Sequence, residues 1–155
     1  MYKAEYLKGI PLSFFQSKNV TFRQKKELIL QTNSIIMKIQ LKLEYTAFLL
    51  LGIYAFAQTG YSWWWFAGLF LVPDISMLGY IVNTKVGAFC YNLFHHFGVA
   101  VIVYFAGTAL SLPYLQMIGA ILFSHSAFDR ILGYGLKYPD SFQNTHLGKI
   151  GKKAE

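Results

Sequence analysis

His125 and Asp129 stand four residues apart in the stretch Leu112–Gly135, LPYLQMIGAILFSHSAFDRILGYG, with Arg130 directly after them. On a helix that spacing puts an imidazole and a carboxylate on one face. Such a pair can bind a metal, pass a proton or lock a hydrogen-bond network. Three further apolar runs carry polar groups of their own: Glu44 in the first, Asp74 in the second, and Asn92, His95 and His96 in the third. Asn92 and His96 are four apart, as are Tyr91 and His95, so each pair shares a face. Of the seven acidic residues, Glu44, Asp74 and Asp129 lie inside apolar runs, where ionisable groups are costly and functional by default.

These side chains need elements that cross a bilayer. The chain is 55% hydrophobic and only 14% charged, against about 25% charged in an average soluble protein. Four apolar runs, Leu41–Gln58, Tyr61–Val82, Val86–Gly107 and Pro113–Gly133, are each long enough to span. The fold expected is all-α, a four-helix transmembrane bundle over residues 41–135. Ser62-Trp63-Trp64-Trp65 marks one membrane interface. Pro73 predicts a kink beside Asp74, and Gly133 and Gly135 end the last span.

Charge sets the orientation. The links Thr59–Gly60 and Gly107–Leu112 hold no Lys or Arg, whereas the N-terminal segment, Lys85 and the C-terminal tail all do. Both termini are therefore expected in the cytoplasm, in a multi-pass protein of the cytoplasmic (inner) membrane. The net charge of +7 gathers at the ends, which is a topology signal and argues against nucleic-acid binding. Residues 1–40 read as a basic amphipathic helix on anionic headgroups, capped by Asn19 or Thr21, or as a disordered extension. Met37, just ahead of the first apolar run, is an alternative start of translation, and no cleavable signal peptide is visible. Residues 136–155 form a basic cytoplasmic tail that also meets headgroups. The lone Cys90 rules out an internal disulfide.

Depth brings the polar groups together. Counted from the cytoplasmic ends, Glu44 and Asp129 lie roughly 5 Å in, Asp74, Asn92 and His125 roughly 10 Å, and His95 and His96 about 14 Å. Four helices thus place polar groups in the same half of the bilayer, expected to converge on one site open to the cytoplasm. His95 and His96 are adjacent, so one faces the centre while the other packs or reaches a carbonyl. Arg130, one step round from Asp129, points toward Glu44 or Asp74 on this reading. A divalent metal is chemically sound, with His95 or His96, His125, Asp129, Asp74 and Glu44 as candidate ligands and His95, His125, Asp129 and Asp74 the set singled out, since carboxylates and imidazoles on facing helices suit zinc, iron or manganese.

Three sequence blocks carry a resemblance. They are Pro73-Asp74-Ile75-Ser76-Met77-Leu78-Gly79-Tyr80, Tyr91-Asn92-Leu93-Phe94-His95, and the run from His125-Ser126-Ala127-Phe128-Asp129-Arg130 to Tyr138-Pro139, closed by Thr145-His146-Leu147-Gly148. From about Met37 to Lys152 the chain resembles the bacterial integral membrane family catalogued as domain of unknown function 4260, with Met1–Ile36 standing as an extension. The resemblance implies a small multi-span membrane protein and brings no established activity, substrate or cofactor. Its motifs contain Asp74, Asn92, His95, His125, Asp129 and Arg130, and they add Tyr134, Tyr138 and His146 as candidates at the cytoplasmic mouth.

Three functional classes stay open. A bound metal would make the protein a membrane enzyme acting on a lipid-soluble substrate. Without metal, the same groups would exchange protons with a small solute in transport, which calls for a homo-oligomer because alternating access needs more helices. The third class is a buried ion-pair network that only specifies packing.

Overall fold

The computed structural model describes residues 21–151. It is all-α apart from one small hairpin, with five α-helices among the described residues. The chain divides into two units, 1–40 and 41–155. In the first unit the described residues are helical, the opening of α1 (Phe22–Ala57). Thr21 caps it in a reciprocal box: Gln24 N donates to Thr21 Oγ1 at 3.3 Å, and Thr21 N donates to Gln24 Oε1 at 2.9 Å. Asn19, the other expected cap, lies outside the described residues. A separate amphipathic segment and first span were expected. The boundary expected at residue 40 is also where the two units divide, and the 36 helical residues Phe22–Ala57 hold neither Gly nor Pro before Gly52.

In the second unit, Ser62 caps α2 (Trp63–Leu69). The kink expected at Pro73 takes the form of a change of helix type: α2 stops, and a 3-10 helix, Val72–Ile81, begins with Pro73 in its first turn. α3 (Thr84–Phe94), capped by Asn83 Oδ1, and α4 (Phe97–Ala109) follow. Where one span from Val86 to Gly107 was expected, two helices meet at a 46° bend. The reason is local. His96 adopts an extended backbone and its Nδ1 accepts from Gly98 N, starting a new helix at the point where the old one ends.

α5 (Pro113–Leu132) is the most buried element, with its inner face hidden from Met117 to Arg130. Gly119 lets α4 approach closely, since a Cβ there would sit 2.5 Å from Tyr104 N. Phe56, Met117, Ala120 and Ile121 form an apolar cluster. Gly133, at φ 94°, ends the helix, with Tyr134 N bonded to the Asp129 carbonyl. The tail then folds back as a hairpin of β1 (Asn144–Thr145) and β2 (Gly148–Lys149), bridged to Lys137 through Thr145.

Two stretches, Phe22–Ala57 and Trp63–Ile81, are long and apolar enough to cross a membrane, and the bent pair α3–α4 makes a third if taken as one span. Only 11% and 6% of the apolar windows of the first two are buried. That much exposed apolar surface belongs in lipid rather than water, and it marks a membrane protein. The sequence reading counted four spans. α5 falls outside this set because Gln116, His125, Asp129 and Arg130 lower its hydropathy.

Candidate metal centre

Three elements position four side chains. α5 turns His125 and Asp129 inward on one face, the last residue of the α3 turn supplies His95, and the 3-10 helix supplies Asp74. One ligand atom from each lies within 4.8 Å of all the others. The Nε2 atoms of His95 and His125 are 3.0 Å apart. His95 Nε2 is 3.4 Å from Asp74 Oδ1 and 3.5 Å from Asp129 Oδ2. His125 Nε2 is 3.4 Å from Asp74 Oδ1 and 3.9 Å from Asp129 Oδ1. Both imidazoles are fully buried and Asp129 nearly so, whereas the Asp74 side chain is 32% exposed.

Neighbours orient these groups. His95 Nδ1 lies 2.8 Å from the Tyr91 carbonyl oxygen, which only accepts, so Nδ1 carries a proton and Nε2 is the nitrogen the neutral ring would offer a metal. The Tyr91 ring stacks on His95 at 3.7 Å, and its hydroxyl donates to Asp129 Oδ2. One tyrosine thereby holds two members of the cluster. Phe70 packs edge-on against His125. His125 Nδ1 and Ser126 Oγ are buried with no protein partner.

The remaining expected site residues go elsewhere. His96 is exposed and spent on the α4 cap, so of the two adjacent histidines His95 faces the centre. Glu44 is exposed on α1 and stands outside the cluster. Arg130 was expected to face Glu44 or Asp74, and this too is corrected. Its guanidinium donates to the Tyr134 carbonyl at 2.6 Å and the His95 carbonyl at 3.1 Å. Both carbonyls sit at helix C-termini that lack donors of their own, where a cation is favoured. Asn92 pins the tail: its Nδ2 donates to Lys137 O at 2.9 Å and its Oδ1 accepts from Lys137 N at 2.7 Å. Tyr134 and Tyr138 are exposed rings at the tail. His146 Nδ1 accepts from Leu136 N at 2.8 Å. Burial, and then the Arg130 charge, hold the His146 imidazole below its ordinary pKa.

Two residues escaped the sequence reading. Tyr91 was noticed only as sharing a face with His95, and a Tyr–x–x–x–His pair over a facing carboxylate was the signal for its role. Lys137 gave none. Its ammonium is buried among the rings of Phe142, Tyr91 and Tyr134, 4.0, 5.0 and 5.7 Å from their centroids. Burial pushes its pKa below the ordinary lysine value, with the Asp129 charge acting the other way.

The donor set fits a divalent cation. Bonds of about 2.0–2.1 Å to a tetrahedral zinc imply donor–donor edges of about 3.3 Å; the imidazole–imidazole and imidazole–carboxylate separations run from 3.0 to 3.9 Å, counting either oxygen of Asp129, in a group whose four ligand atoms lie within 4.8 Å of one another. Two imidazole lone pairs and two carboxylates brought this close repel unless a cation or shared protons sit between them. The buried group can therefore hold a metal. The family model described as "Domain of unknown function (DUF4260)" matches residues 38–150. No curated protein and no solved structure matches the chain.

Proposed function

The chain belongs to the DUF4260 family; from its buried His/Asp cluster we propose that it is a metal-dependent enzyme of the cytoplasmic membrane acting on a lipid-soluble substrate. His95, His125, Asp74 and Asp129 hold the ion, which supplies a polarising charge or an activated water. The observation that carries this reading is the convergence of four ligand atoms within 4.8 Å in a buried setting. The His95 tautomer and the Tyr91 hydrogen bond to Asp129 support it, since metal ligands are typically oriented by such outer partners. Around this centre we place four spans with both termini in the cytoplasm. α5 serves as the fourth: its charged groups are buried, and its exposed large side chains include Tyr114, Ile118 and Leu132. The basic segments at either end meet anionic headgroups.

The test is elemental analysis of protein purified without added metal. One transition metal ion per chain is expected, lost in the His95→Ala/His125→Ala double variant. A metal-free, well-folded protein would contradict the proposal. One observation favours a second reading: at 3.0 Å the two Nε2 atoms are also placed to share a proton, as a proton-linked site or a packing network would require. Metal-free protein whose melting temperature follows the titration of that pair would select it.

A further inference from the structure

Of the four ligands, Asp74 alone is substantially open, and its surroundings are apolar. In a 3-10 helix side chains three apart stack in rows. Leu71, Asp74 and Met77 make one row, Ile75, Leu78 and Ile81 the next, and the two rows line a shallow groove in which Asp74 is the one charged residue. Leu71, Ile75 and Leu78 are 62%, 59% and 61% exposed. They belong to Trp63–Ile81, a stretch apolar enough to cross a membrane, so what covers them is lipid.

The other side of the centre is closed. Tyr91 covers His95 and Asp129, Lys137 lies against Tyr91, and Phe142 caps Lys137. Two hydrogen bonds between Asn92 and Lys137, one given and one received, hold that backbone in place. An opening to the cytoplasm was expected from sequence. In its place stands a plug of tail residues, with Lys137 4% and Thr145 3% exposed.

We infer that the centre is reached sideways from the bilayer, along the 3-10 helix, by an amphiphile whose polar head passes Asp74 while its chain lies on Leu71, Ile75 and Leu78. The inference rests on the metal reading above and specifies its substrate: a molecule already dissolved in the membrane, with a compact oxygen-bearing head. A water-soluble solute would have to displace the Lys137 plug.

Removal of Co2+ from the loaded protein in phosphatidylcholine nanodiscs, which leave both membrane faces open, tests the route. The membrane-soluble chelator 1,10-phenanthroline should strip the metal at least roughly ten-fold faster than EDTA, whose charges bar it from hydrocarbon. Leu78→Arg, at an exposed position of the groove, should slow phenanthroline relative to EDTA measured on the same cobalt-loaded variant. Asn92→Ala should loosen the plug and speed EDTA. Equal rates for the two chelators with stoichiometric cobalt would overturn the lateral route and spare the metal centre. Failure to bind cobalt at all would overturn both.

Discussion

The imidazoles of His95 and His125 face each other across the centre of the fold with their Nε2 atoms 3.0 Å apart. The His95 ring is committed by its Nδ1 bond to the Tyr91 carbonyl. Nε2 is thus the nitrogen left to take a proton or a metal.

Tyr91 links the two sides of the centre, so its hydroxyl should tune the metal rather than bind it. Tyr91→Phe keeps the ring on His95 and removes the donor to Asp129. Loss of such an outer partner typically weakens metal binding by about 10–100-fold. Competition against a chromophoric chelator measures it, and an unchanged affinity would show that Asp129 does not ligate.

Arg130 joins the ends of α3 and α5 through the His95 and Tyr134 carbonyls. Arg130→Met should destabilise the fold by about 2–3 kcal/mol, the scale of hydrogen bonds to a buried charged group. Thermal or denaturant unfolding in detergent reads this out. A variant as stable as the parent would mean that the guanidinium holds nothing together.

Close helix contact makes Gly119 intolerant. A Cβ at that position meets Tyr104 N at 2.5 Å and Ala100 O at 2.8 Å, both backbone atoms that cannot swing aside. Gly119→Ala should cost about 1–3 kcal/mol by overpacking. A melting temperature equal to the parent's would contradict the α4–α5 packing described above.

His146 makes the tail sensitive to pH. Its folded pKa is depressed by burial and by Arg130, so the neutral ring is the one the fold prefers. The stabilisation it gives is complete above the unfolded value of about 6.5 and is lost as the pH falls through the lower folded value. Protonation also ends the ring's ability to accept from Leu136 N. Hydrogen exchange at Leu136 should rise as the pH drops below 6.5, after correction for intrinsic exchange, and His146→Gln should flatten the change. A parent protein with no such rise would refute the coupling.

Much of this arrangement was legible before any coordinates. Apolar length and the positions of charge pointed to membrane helices, and counting depth put Asp74, His95, His125 and Asp129 at neighbouring levels. Depth says nothing about azimuth, however. Glu44 was counted to the level of Asp129 and is exposed. The choice between His95 and His96 depended on a helix break that hydropathy does not register, because apolar residues continue on both sides of it. Arg130 was assigned to carboxylates on charge alone, whereas unpaired carbonyls at two helix ends drew it away. Lys137 was unreadable because its aromatic cage comes from α3, the end of α5 and the tail, brought together only by the fold-back.

X-ray absorption at the metal edge of protein purified from membranes tests the central claim most directly. The centre described here predicts a first shell of nitrogen and oxygen at about 2.0–2.1 Å, with the outer scattering of two imidazoles, halved in His125→Ala. A sample with no metal edge, or a shell lacking imidazole scattering, would contradict it.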